Sequence, residues 1–106
     1  MKLDTGVFDL DGKPVMDRPG EDASPTTIGK LVVHALLATL PGDERMSAEQ
    51  KVRCALLAQR IHGQSEIDTL TAEDITLIKA RAGSAFTQLV VMRVWEAIDP
   101  ASVRSG

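Results

Sequence analysis

Apolar residues recur at helical spacing through most of the chain and alternate only near its start. Ile28, Leu31, Val32, Ala35, Leu36 and Leu40 keep the three-and-four spacing of one helix face, up to Pro41-Gly42. A first helix is therefore expected from near Pro25–Thr27, capped by Thr27 or by Ser24 with Pro25 at the first helical position. Gly29 weakens it relative to alanine but leaves room for close packing. Ser47-Ala-Glu-Gln50 is a capping box that opens a second helix running to about Gly63. Its inward face is Cys54, Leu57, Ala58 and Ile61, broadened by Val52, Ala55 and Leu56.

Thr71-Ala-Glu-Asp74 is a second capping box, with Asp in the Glu position and Leu70 and Ile75 at the places of a hydrophobic staple. The third helix it opens is expected to be short, with Ile75, Ile78 and Ala82 inward and an end near Gly83. A fourth helix then starts at Gly83 or Ser84 and stops at Asp99-Pro100. Within it, Phe86, Leu89, Val90, Arg93, Val94 and Ala97 form one stripe; Val91, Trp95 and Ile98 form another on roughly the opposite face. A helix apolar nearly all round must be buried from both sides. The stretch Ala85–Ile98 is thus the expected organising element, with the chain's own core on one side and a second subunit or partner on the other.

Ahead of the helices, Val7, Phe8 and Leu10 lead into Asp11-Gly12, with Val15 and Met16 beyond, which predicts a β-hairpin over residues 3–16. Pro14 confines the returning strand to an edge, and 17–24 is a polar loop. Residues 66–70 are expected to be extended and able to add a short strand. The expected fold class is mainly α: one domain over 1–106, four helices with an N-terminal β-hairpin (α+β minor). Its parts are the hairpin at 3–16, a helical body at 25–99 and a flexible tail at 100–106.

Composition narrows this picture. Phe8, Phe86 and Trp95 are the only aromatics in 106 residues, so the core must be aliphatic and little is available to stack on bases or sugars. The formal charge of −3 argues against a protein built mainly to grip phosphate backbones. With Cys54 the only cysteine, no internal disulfide can form, and a reducing compartment is expected. Acids in the first residues argue against a signal peptide, and no apolar segment approaches the roughly 20 residues that span a bilayer.

Chemistry-bearing motifs are few. Val7-Phe-Asp-Leu-Asp-Gly12 resembles the first motif of haloacid dehalogenase-like phosphatases, which would make Asp9 a nucleophile and Asp11 an acid/base in a magnesium-dependent reaction. Lys13 stands where that family has Thr, and Pro14 disrupts the segment after the motif. The chain is also too short and helical for the parallel sheet that presents those acids. An Asp-Gly turn is the preferred reading. Asp9, Asp11 and Asp17 do not have the spacing of a calcium loop. His34 and His62 lie on different helices without ligands at metal-binding spacing, so no metal and no cofactor is expected. Lys51, Arg53, Arg60, Lys79 and Arg81 make parts of the second and third helices basic, the basis of an alternative as a small nucleic-acid-binding regulator. Against it, the connection from Gly63 to Thr71 exceeds the usual turn of about 3–4 residues in a helix-turn-helix.

Short segments carry a resemblance: Asp-Gly-Lys-Pro at 11–14, Thr-Ile-Gly at 27–29 leading to Ala-Leu-Leu at 35–37, 70–79, Val90-Val91 and Trp95. In these the chain resembles a loosely defined set of small accessory proteins of tailed phages and prophages. The resemblance implies a phage-encoded protein of the host bacterial cytoplasm and carries over no catalytic residue. The function expected is a non-enzymatic interaction or assembly module that forms a homo-oligomer through the fourth helix. Its candidate interface residues are Val91, Arg93, Trp95 and Ile98, and a phage structural protein or a host protein is a possible further partner. Arg and Trp are the residues most enriched at binding hot spots.

Overall fold

The computed structural model describes residues 2–103, and its central element is the helix that begins after Thr27. In α1 (Ile28–Leu37), Thr27 is extended and its hydroxyl accepts the Lys30 amide at 3.3 Å, which settles the choice of cap. The next orphan amides are met by the chain's first residues: Ile28 donates to the Thr5 carbonyl (3.0 Å) and Gly29 to the Leu3 carbonyl (2.8 Å). That crossing is close enough to need glycine, because a Cβ at position 29 would stand 3.1 Å from both the Cβ and the carbonyl oxygen of Leu3. Ile28, Val32, Ala35 and Leu36 are buried, and α1 packs against all three other helices. The helix covered from several sides is therefore α1, not the Ala85–Ile98 stretch expected to organise the chain.

The helix ends at Leu37, three residues before the apolar pattern does. Its terminal polar groups are taken by side chains from elsewhere. Arg81 donates to the carbonyls of Ala35 (3.1 Å) and Ala38 (2.7 Å), while the Asp43 carboxylate accepts the Leu40 amide (2.8 Å). A 3₁₀ turn at Asp43–Arg45 then leads to α2 (Ala48–Ile61), whose Ser47/Gln50 capping box is formed in both directions. Cys54, Leu57, Ala58 and Ile61 are buried as expected. Val52 and Leu56 are not: they are 56% and 55% exposed. At 100° per residue they fall on the side of α2 opposite the buried four, so they cannot broaden the inward face.

The second capping box, Thr71/Asp74, is also formed in both directions and opens α3 (Ala72–Ala85). This helix is longer than expected. Gly83 lies inside it, a cost of about 1 kcal/mol relative to alanine that packing against α1 and α4 offsets. Phe86 is consequently a turn residue, its ring stacked on His34 with centroids 5.9 Å apart. Thr87 precedes α4 (Gln88–Ile98), and Pro100–Val103 closes as a second 3₁₀ turn where a frayed tail was expected; 104–106 lie outside the described residues.

The structure does not show the expected N-terminal β-hairpin as a pair of strands. Among the described residues the extended segments meet only in isolated antiparallel bridges: Lys2–Glu66, Gly6–Thr27, Phe8–Pro14 and Met16–Pro25. Two of these pairs contain a proline, which has no amide to continue a ladder. The turn is built by Asp9, whose Oδ1 accepts the amides of Asp11 (2.9 Å) and Lys13 (3.0 Å), with Gly12 at φ +81°. The strand foreseen at 66–70 is reduced to the single bridge at Glu66. Leu3 and Val7 nevertheless reach the core, joining Ile28, Val32, Leu36, Cys54, Leu57, Ile61, Ile78, Val94 and Ile98. That core is aliphatic, as the aromatic scarcity required, and each large side chain fully buried in it contributes about 1.5–3 kcal/mol. No helix among the described residues is long and apolar enough to cross a membrane.

Candidate interaction surface

α4 presents its inner side through Val94, fully enclosed, and Ile98, 7% exposed. Ile98 was grouped with Val91 and Trp95 on an outer face; it lies in the chain's own core. Trp95 is half-buried against α3. Its indole Nε1 donates to the Lys79 carbonyl at 3.2 Å, and the Lys79 ammonium stands 4.5 Å from the ring centroid while pairing with Asp99 at 2.9 Å. Arg93, in the inward stripe, resolves its position by reaching the first segment: Nε donates to the Phe8 carbonyl (3.0 Å) and Nη1 pairs with Glu96 (2.9 Å). Beside Trp95 an open groove of about 630 Å³ is lined by Phe86, Val91, Met92, Trp95 and Val103. Of the four candidate interface residues, Val91 and Trp95 meet at this groove, Arg93 is tied to the N-terminal segment and Ile98 is internal.

The five basic candidates do not form one surface. Arg81 is buried, forked onto Asp43 through Nη1 (2.6 Å) and Nη2 (3.2 Å) as well as onto the α1 carbonyls, so its role is to fasten α3 to the end of α1. The Asp43 carboxyl is held below its ordinary value of 3.8, first by the hydrogen bond from Arg81 and then by the Leu40 amide. Arg53 pairs with Glu73 (3.4 Å) and Asp74 (3.6 Å); Arg60 pairs with Asp74 (3.6 Å) and bonds Thr69. For Asp74, burial is the largest influence and pushes the pKa up. Hydrogen bonds with the Thr71 amide and hydroxyl, then with Arg53, and the charge of Arg60 together outweigh it and leave the carboxyl below 3.8. Lys79 is engaged with Asp99 and Trp95, and Lys51 is exposed on α2.

Tertiary structure also unites what the sequence kept apart. His34 and His62 line one cleft of about 640 Å³ together with Leu3, Lys30, Ile61 and Ser65. Among the described residues, no three His, Cys, Asp or Glu side chains stand close enough to hold a metal ion. The α1 amides beside the cleft are already bonded to Leu3 and Thr5, which leaves no ready anion site there. Asp9 and Asp11 sit on the turn, where the Asp9 carboxylate is occupied by two backbone amides. The surface feature missed from sequence is the Val52–Leu56 pair on α2. Its spacing at i and i+4, opposite the buried face, was the available signal.

Comparison of the chain with protein-family models, with curated proteins and with solved structures finds no match.

Proposed function

We propose that this chain is a non-enzymatic interaction module that associates with copies of itself through the groove on α4. The observation that carries this reading is the environment of Trp95. Its one polar atom is satisfied within the chain, so the ring and the neighbouring Phe86, Val91, Met92 and Val103 offer apolar surface to a partner, with Gln88 and Ser102 as polar groups of the same groove. A second copy can cover the indole without leaving its N–H unpaired. The resemblance of short segments to tailed-phage accessory proteins supports a setting in virion assembly, or in binding a host protein in the bacterial cytoplasm. The test is solution mass by light scattering for wild type and for Met92→Glu, a position 37% exposed where a charge is tolerated in the folded protomer. An oligomer that dissociates in a folded Met92→Glu variant is the expected result. Equal masses for the two proteins would remove α4 as the contact.

A further inference from the structure

A different helix carries a second exposed apolar surface. α2 packs principally on α1, and its far side bears Val52 and Leu56, more than half exposed, at the rim of a shallow depression also lined by Glu49, Arg53, Arg60 and Asp74. These side chains have a definite order. On the helical wheel Glu49 and Arg60 flank the same side of the Val52–Leu56 strip, Glu49 one turn before it and Arg60 one turn after. We infer that α2 docks against α2 of a second copy, antiparallel about a two-fold axis near residue 54.

That operation reverses the helix direction while keeping the flanking side, so Val52 of one copy lies against Leu56 of the other. Glu49 then faces Arg60 across the contact, and the symmetry makes the pair twice, about 16 Å apart on either side of the apolar centre. A parallel two-fold would instead place the two copies' Glu49 and Arg60 on opposite flanks of the contact, with no Glu49–Arg60 pair. Charge complementarity therefore selects both the occupant and its direction. Glu49 has no ion pair within its own chain among the described residues, and Arg60, with 46% of its side chain exposed, bonds Thr69 through Nη2 and holds Asp74 at 3.6 Å through Nη1. Both retain capacity for the intermolecular partner. Burying Val52 and Leu56 supplies the attraction, and the charge pairs fix the register.

The contact is independent of the α4 groove, and its test separates the two. Light scattering would be run on the whole chain as wild type, Leu56→Glu, Glu49→Arg and Met92→Glu. Leu56 and Glu49 are exposed, so their variants keep the core intact, which circular dichroism checks. Loss of about half the mass in both Leu56→Glu and Glu49→Arg, whatever Met92→Glu does, is the expected result. A wild-type mass retained in both variants would overturn the α2 contact, and a change in Met92→Glu alone would leave only the α4 reading standing. Direction is read by mixing Val52→Cys and Leu56→Cys proteins under mild oxidation, the native Cys54 being buried. Antiparallel docking gives mainly the mixed disulfide; Leu56→Cys coupling chiefly to itself would refute the arrangement.

Discussion

Replacing Arg81 by methionine should destabilise this protein more than any surface change on its charged helices. The guanidinium is 8% exposed and makes four hydrogen bonds, two to the carboxylate of Asp43 and one each to the carbonyls of Ala35 and Ala38. Methionine keeps most of the apolar stem and removes only the donors. The two carbonyls end α1 and lose the partner that Arg81 provides, at about 1–2 kcal/mol each. The freed Asp43 carboxylate turns to solvent and adds little to the loss. A loss of about 3 kcal/mol is expected, a large part of the roughly 5–15 kcal/mol that holds a domain of this size. In urea, with a slope of about 1.5 kcal/mol/M, the midpoint should fall by about 2 M. Arg81→Lys is the informative companion. It restores the charge but cannot reach three acceptors in a plane, so it should recover less than half of the loss. A midpoint within about 0.5 M of wild type for Arg81→Met, at unchanged slope, would refute the assignment of Arg81 as the fastener of α1.

Acid should weaken the fold through Asp43 and Asp74, whose carboxyls lie below their ordinary value of 3.8 in the folded chain. The stabilisation is fully present above that value and is lost as pH falls through the lower folded values, so urea midpoints should decline below about pH 4. Asp43→Asn should start from a lower midpoint and show a shallower decline; midpoints flat from about pH 5 to about 2.5 would contradict both pairings. Gly29→Ala should lower stability by about 1 kcal/mol despite alanine's better helix propensity, because its Cβ would press on the Leu3 backbone. A thermal midpoint above wild type would show that the first segment yields at that crossing.

Much of the helical plan was legible because it is written in local terms. Ser47/Gln50 and Thr71/Asp74 announce their helices by satisfying orphan amides within three residues. Cys54, Leu57, Ala58 and Ile61 mark an inward face by spacing alone. The expectations that failed depended on partners far away in sequence. The first helix stops early because Arg81 and Asp43 take its terminal polar groups, and the hairpin breaks into single bridges where Pro14 and Pro25 withhold amides. Periodicity identifies an apolar face but not what covers it. The second apolar stripe on α4 was read as one outer face, yet packing divides it: Ile98 lies in the chain's own core, while Trp95 packs on Lys79 of α3 and meets Val91 at the groove. Val52 and Leu56 were counted as core and are exposed, since only the packing of α2 on α1 decides which arc of α2 is covered. Hydrogen bonds between near neighbours are encoded at short range. Burial is decided by the arrangement of all four helices, and with it the choice of which apolar residues remain free to meet another molecule.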